Sequence, residues 1–403
     1  MKLCALSSFL IGTILPNVVT SFIVSRFSPV TSLQSYETKI YAESVEDLSI
    51  VIGDGNNEDM DESNLEDPNK VSSFLKFIGP YPSLGLRFPE LATQSQRERN
   101  VTGISLDFVI DTAANTNTIN SQVAAELQCE NVGSALPGYG ASGELDGGDT
   151  FLLGNCTLDM PGKEIFMTDL TASALPVASP ASAGLLGVAF LNCFEGGVKF
   201  EWGGGIDGRE PMVTFHGKDS GIENQLKSMT RVPIDVLDEI LLPSVTMTIN
   251  GAKIPALLDT GSPVTVLNSE AADLAKLTTI TLESDTVDDK KGGFNPFKKF
   301  TDNLKAAQLL ADAASKGDIL VVGGTDGQRI ELRRTEEKAH VLLGPDAAVS
   351  FPSTNIFVGD LPGLKALEGL NSSTSTPAAV LGMDVLKRLP VMVYRGVQNE
   401  VYF

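Results

Sequence analysis

The chain has 403 residues, enough for two domains with full cores. Its 51 acidic residues against 30 basic give a net charge of −21, which argues against nucleic acid or an anionic membrane as a main partner. A hydrophobic share of 42% is ordinary for a soluble protein. The first residues read as an address: Lys2 leads a short apolar run over 3–15. Val19 and Ser21 are small residues at the −3 and −1 places of a cleavage site, so residues 1–21 read as a signal peptide. That run is too short and too interrupted to span a bilayer, and no later stretch is long enough.

Phe22 and the stretch 23–32 follow, rich in hydroxyls, with Arg26 and no acid. This composition resembles the bipartite plastid presequences of algae with secondary plastids. A plain secretory signal with a pro-segment fits the same residues, and both readings send the chain into the secretory path. Residues 43–69 are strongly acidic, from Glu43 to Asp67, with no Lys or Arg. Such a run repels itself and buries little, so 22–70 reads as a transit-like and acidic linker. With Cys4 lost in the signal, Cys129, Cys156 and Cys193 form neither a disulfide framework nor a zinc motif. The sequons at Asn100, Asn155 and Asn371 matter only for a chain that stays in the secretory path.

From about Phe74 the composition becomes globular. Short apolar runs bounded by Gly, Pro, Asn and Asp predict many short strands and a mainly β fold. Helical stretches are expected at 121–127, 269–277 and 301–315. An internal repeat sets the architecture. Asp111-Thr112-Ala113 is followed by Leu152-Leu153-Gly154, Ile165-Phe166 and Gly184-Leu185-Leu186-Gly187. Asp259-Thr260-Gly261 is followed by Leu342-Leu343-Gly344, Ile356-Phe357 and Ala379-Val380-Leu381-Gly382. Each copy closes with an apolar strand, one from Val198 to Trp202 and one from Val391 to Tyr394. Two lobes are expected, over 71–222 and 223–403. The second copy is longer between its aspartate and its closing glycine. The excess, near 283–317, reads as a surface loop with one amphipathic helix or as a lid beside a cleft.

The run from Ala256 to Leu267, with Asp259-Thr260-Gly261 between apolar flanks, resembles the aspartic peptidases, and the retropepsin-like group most closely. The resemblance extends over most of residues 80–403. It implies a bilobal acid-protease fold with both lobes in one chain, as in pepsin-like enzymes. It also implies an endopeptidase in which Asp111 and Asp259 activate a water. Two close carboxylates cannot both stay charged, so one keeps a proton, and aspartic proteases are the standard example of this effect. The ionised member takes a proton from water and the protonated one polarises the scissile carbonyl. No metal or cofactor is needed.

The resemblance assigns roles to the flanking residues. Thr112 and Thr260 hold the family position whose hydroxyls bond across to the opposite lobe. Ser262 would donate to the outer oxygen of Asp259, which Ala114 cannot do for Asp111, so Asp259 is expected to be the more readily ionised acid. Ala113 stands where the family has glycine, at the counterpart of Gly261. Alanine is mild there if its φ is negative and strained if it is positive. Family members also cover the cleft with glycine-rich hairpins. Leu136 to Gly143 fills that place in the first lobe, with Tyr139 and Gly140 toward substrate, and Val322 to Gly327 in the second, with Gly324. Gly138, Gly140 and Gly143 also match a dinucleotide fingerprint, but without its strand-then-helix setting. His216 and His340 have no nearby Cys or His to complete a zinc set. The expected partner is a peptide or unfolded protein, bound by a monomer. A peptidase-like module that binds peptides without cleaving them is the other reading, motivated by Ala113.

Overall fold

The computed structural model describes residues 24–25, 51–52, 69–135, 138–140, 143–145, 148–158, 165–175, 182–203, 209–237, 241–281, 313–323, 329–344, 347–368 and 376–403. Two lobes repeat one scheme. In the first, Tyr81–Phe88 pairs antiparallel with Ile104–Ile110, which runs parallel to Gly184–Leu186. In the second, Leu242–Ile249 pairs antiparallel with Ala252–Leu258, which runs parallel to Ala379–Leu381. The registers match: Leu186 lies opposite Ile110, and Leu381 opposite Leu258. Continuous apolar runs are what strands covered on both faces require. Ile110, Leu186, Leu258 and Leu381 are all fully buried. The second-lobe hairpin turns on Asn250 (φ 50°) and Gly251 (φ 83°), the left-handed pair that a tight two-residue hairpin demands.

A six-stranded sheet joins the lobes. Its order is Arg231–Pro233, Glu400–Tyr402, Val391–Arg395, Gly197–Glu201, Met212–His216 and Lys70–Phe74. The closing strands of the two halves pair with each other, Val198 opposite Tyr394 and Phe200 opposite Met392. The inward residues Val198, Phe200, Val213, Phe215 and Met392 are buried, and Phe200 stacks on Trp202 at 5.1 Å between ring centroids. The strands that end each repeat thus become a shared floor that fixes one lobe against the other.

The middle blocks of the repeat are out of register with the sequence match. Leu343 pairs beside Met247, and the residue in that place in the first lobe is Leu158, beside Leu86, not Leu153. Likewise Phe357 runs beside Val266, and its counterpart beside Thr118 is Ser173, not Phe166. The strand Asp149–Leu158 is irregular on both sides of Gly154, whose φ is 79°, but its register with the strand Ile165–Leu175 is the same before and after. The outer blocks, at the aspartates and at the closing glycines, coincide.

Helices occupy Ser121–Leu127 and Ser269–Leu274, capped by Asn120 and Asn268. Of the helix expected over 301–315, residues 301–312 lie outside the described residues. The acidic segment differs from the expected linker at one point. Val51–Ile52, an apolar island among the acids, pairs antiparallel with Ile165–Phe166. Val24–Ser25 pairs with Gly138 and Tyr139. The rest of 22–68 lies outside the described residues. Among the described residues no helix is long and apolar enough to cross a membrane, and Cys129, Cys156 and Cys193 are free thiols.

Candidate active site

Each aspartate sits at the end of a buried strand and is held by the closing block of its own lobe. The Asp111 amide donates to Leu186 O (2.9 Å), and Val188 N donates to Ala114 O (2.8 Å). The Asp259 amide donates to Leu381 O (3.1 Å), and Met383 N donates to Ser262 O (2.8 Å). Glycine is required between these bonds. A Cβ on Gly187 would lie 2.5 Å from Ala114 O, and one on Gly382 would lie 2.4 Å from Val264 O.

The two turns then lock across the lobes. Thr112 Oγ1 donates to Leu258 O (2.5 Å) and Thr260 Oγ1 donates to Ile110 O (2.7 Å). In return Thr112 N donates to Thr260 Oγ1 (3.1 Å) and Thr260 N to Thr112 Oγ1 (3.0 Å). All of these groups are buried. Each such bond contributes about 1 kcal/mol, and a buried group left unpaired costs roughly 1–3 kcal/mol, so the lock is far more costly to break than to keep.

The lock brings Asp111 and Asp259 together, and both are fully buried. Burial first, then the adjacent Asp111 charge, hold the Asp259 carboxyl well above the usual carboxylate range. The Gly261 and Ser262 amides oppose that rise, but neither Asp259 oxygen has a partner at hydrogen-bond geometry. The orphaned oxygens and the raised affinity have one common remedy, a proton held between the two acids. Asp111 is better served, because Ala113 N donates to its Oδ1 at 2.8 Å. A hydrogen bond to the charged form favours charge. Burial and the neighbouring acid make Asp259 the carboxyl that favours the proton.

The bond expected from the Ser262 hydroxyl to Asp259 is not made. The Ser262 hydroxyl donates to Val264 O at 2.8 Å, so it closes its own turn instead of reaching Asp259. Ala113 is likewise settled. Its φ is not positive, and it is fully buried in an apolar cluster with Leu242, Leu257 and Val380 of the second lobe. Gly261 is different: a Cβ there would meet the Asp111 Cγ at 2.5 Å. The same motif position thus tolerates a methyl in one lobe and not in the other.

Gly138–Gly140 and Gly143–Leu145 form a hairpin, Tyr139 opposite Glu144 and Gly140 opposite Gly143. It lies against the 3-10 helix Pro362–Glu368 of the second lobe, so it bridges the two halves. Ile319–Gly323 and Arg329–Arg334 form the arms of a second-lobe hairpin. Gly324 lies outside the described residues.

Sequence reasoning missed two features near the site. Tyr81-Pro82-Ser83 and Leu242-Pro243-Ser244 are a further repeat, since Ser83 lies opposite Val109 and Ser244 opposite Leu257. The Pro-Ser pair was the available signal, hidden by the added helix Gln94–Glu98 in the first lobe. The second is Asp384, a half-buried residue bonded to Thr265.

A family model described as aspartyl protease matches residues 245–294. Among solved structures, Basic 7S globulin from soybean is similar over 80% of this chain and 94% of its own, at 9% identity and a TM-score of 0.38. The protein edgp is similar over 83% of this chain and 94% of its own, at 11% identity and a TM-score of 0.38. No curated protein matches the chain.

Proposed function

We propose that this chain, which has the mainly β, two-lobed fold of the aspartic peptidases, is an endopeptidase that hydrolyses peptide bonds. One observation supports the reading: the reciprocal threonine bonds between lobes hold two fully buried acids side by side, and neither Asp259 oxygen has a hydrogen-bond partner. Ionised Asp111 takes a proton from a water, whose oxygen attacks the scissile carbonyl carbon. Protonated Asp259 gives its proton toward the carbonyl oxygen as charge develops there. The C–N bond then breaks, and the proton collected by Asp111 passes to the leaving amine. An extended peptide would lie across the cleft beneath the hairpin at Tyr139 and Gly140, adding its backbone to a strand edge. Thr112, Ala113, Thr260, Gly261 and Ser262 hold the two turns, and the chemistry calls for no metal or cofactor.

The raised proton affinity of Asp259 sets the direction of the pH dependence. The singly protonated pair persists well above the ordinary carboxylate range, and activity falls on the alkaline side as Asp259 loses its proton. The test is cleavage of an unfolded protein across a pH series, with and without pepstatin. It is run on the full chain and on a chain lacking residues 22–68. Pepstatin-sensitive cleavage is expected. Silence of both chains at every pH would overturn the reading and leave a peptide-binding module.

A further inference from the structure

We infer that Asp384 is a positioning residue for the Asp259 turn, acting through Thr265 and Gly382; this rests on the reading of the two aspartates as a water-activating pair. The Asp259 turn is gripped at both ends by one short stretch, Leu381 O on the Asp259 amide and Met383 N on the Ser262 carbonyl. Gly382 lies between the two grips. Its amide donates to Thr265 Oγ1 at 3.1 Å. A hydroxyl that accepts this bond must still place its own proton, and Thr265 Oγ1 donates to Asp384 Oδ1 at 2.7 Å. Asp384 therefore fixes which way the hydroxyl points, and so keeps a lone pair turned to Gly382.

The first lobe makes the same grip without an acid. There Gly187 N donates directly to Asn117 Oδ1 at 3.2 Å. Asn117 is the counterpart of Thr265, since Thr118 and Val266 hold equivalent places beside Leu185 and Val380. A carboxamide oxygen accepts without having a proton to place. The counterpart of Asp384, one residue into the short helix Val188–Leu191, is Ala189, which is exposed. The acid appears only in the lobe where a hydroxyl has replaced the amide.

Asp384 is partly exposed as a residue, but its carboxylate is turned inward. Burial pushes it up to about 6, against the Thr265 hydroxyl and amide, the Val385 amide and the Lys387 cation, which all favour its charge. The ionised form makes the stronger bond to Thr265. Once protonated, Asp384 can donate to Thr265 Oγ1 and compete with the Gly382 amide. The grip on the turn loosens as pH falls through that range.

The experiment compares the wild type with Asp384→Ala and with the double variant Thr265→Asn/Asp384→Ala, which copies the first-lobe arrangement. The readouts are kcat and KM across pH on an unfolded protein, and exchange of the Gly382 amide in the full chain. Asp384→Ala is expected to lower kcat roughly 10- to 100-fold, with little change in KM, because a misplaced reacting group costs rate before binding. It should also speed exchange at Gly382. The double variant should recover most of kcat and protection, and lose the acid limb that the wild type shows near the Asp384 titration. If Asp384→Ala does not fold, the double variant decides. A wild-type pH profile in Asp384→Ala, or a folded double variant no faster than Asp384→Ala, would overturn the inference. A wild type that cleaves nothing sinks the peptidase reading alone. Gly382 exchange then still judges the grip: unchanged exchange in Asp384→Ala refutes it, and loss with recovery in the double variant supports it.

Discussion

Asp259→Asn should abolish cleavage and at the same time make the folded protein more resistant to urea near neutral pH. The loss of activity follows from removing a proton donor that acts in the transition state, a contribution of roughly 10²- to 10⁴-fold by itself. Because the two acids act as a unit, Asp111→Asn should cost about as much, and the double variant little more. The stability gain follows from the sign of the linkage. The folded-state pKa of Asp259 lies well above the ordinary aspartate value, so the folded state holds a proton that the unfolded state has lost. Stability is then highest below the unfolded value and falls as pH rises toward the folded one. Asparagine keeps the shape and cannot ionise, so this fall should vanish in the variant. Urea melts across a pH series give the check. Wild type and variant should converge in acid and diverge above the ordinary carboxylate range. Divergence in the opposite sense would mean that Asp259 is stabilised as an anion.

Gly261→Ala and Ala113→Gly should behave oppositely, although both change one motif position. A methyl at Gly261 would press on the Asp111 carboxyl at 2.5 Å from Cγ, deep inside contact distance, with both residues fully buried. The turn must move, and the lock moves with it. We expect a loss of roughly 100-fold or more in kcat and about 1–3 kcal/mol of stability from overpacking. Ala113→Gly removes a buried methyl and frees the backbone, which costs about 1–2 kcal/mol. Ala113 N would still donate from the same backbone place to Asp111, so kcat/KM should stay within about tenfold of wild type. Steady-state kinetics with thermal melts on the two variants separate these outcomes. Equal damage from both would show that the lobes are not differentiated in this way.

What the sequence revealed depends on how local each interaction is. The aspartate turns and closing glycines were legible because hard sterics fix them: a Cβ on Gly187 or Gly382 has no room, so few residues can stand there. The shared floor was half legible. The apolar strands Val198–Trp202 and Val391–Tyr394 stood out, but nothing local says that they pair with each other, because that is a contact between residues almost two hundred positions apart. The middle blocks misled because short apolar runs such as Leu-Leu-Gly recur, and the pairing that decides their place is with distant strands: Leu158 lies beside Leu86, and Leu343 beside Met247. The role of Ser262 was misjudged for a similar reason. Its hydroxyl donates to the Val264 carbonyl, a backbone acceptor that residue types do not mark. Asp384 was passed over because a single acid on a short helix carries no pattern of its own, and its meaning comes from Thr265 on another strand.

The most direct test concerns the proton. Infrared difference spectra of wild type minus Asp259→Asn, recorded slightly above neutral pH where Asp384 is ionised, report whether the wild type holds a protonated carboxyl that the variant lacks. A carbonyl stretch of a neutral carboxylic acid should appear in the wild type, vanish in Asp259→Asn, and weaken in Asp111→Asn as Asp259 gains freedom to ionise. A difference spectrum showing only ionised carboxylate at that pH would contradict a shared proton, and with it the water-activating pair.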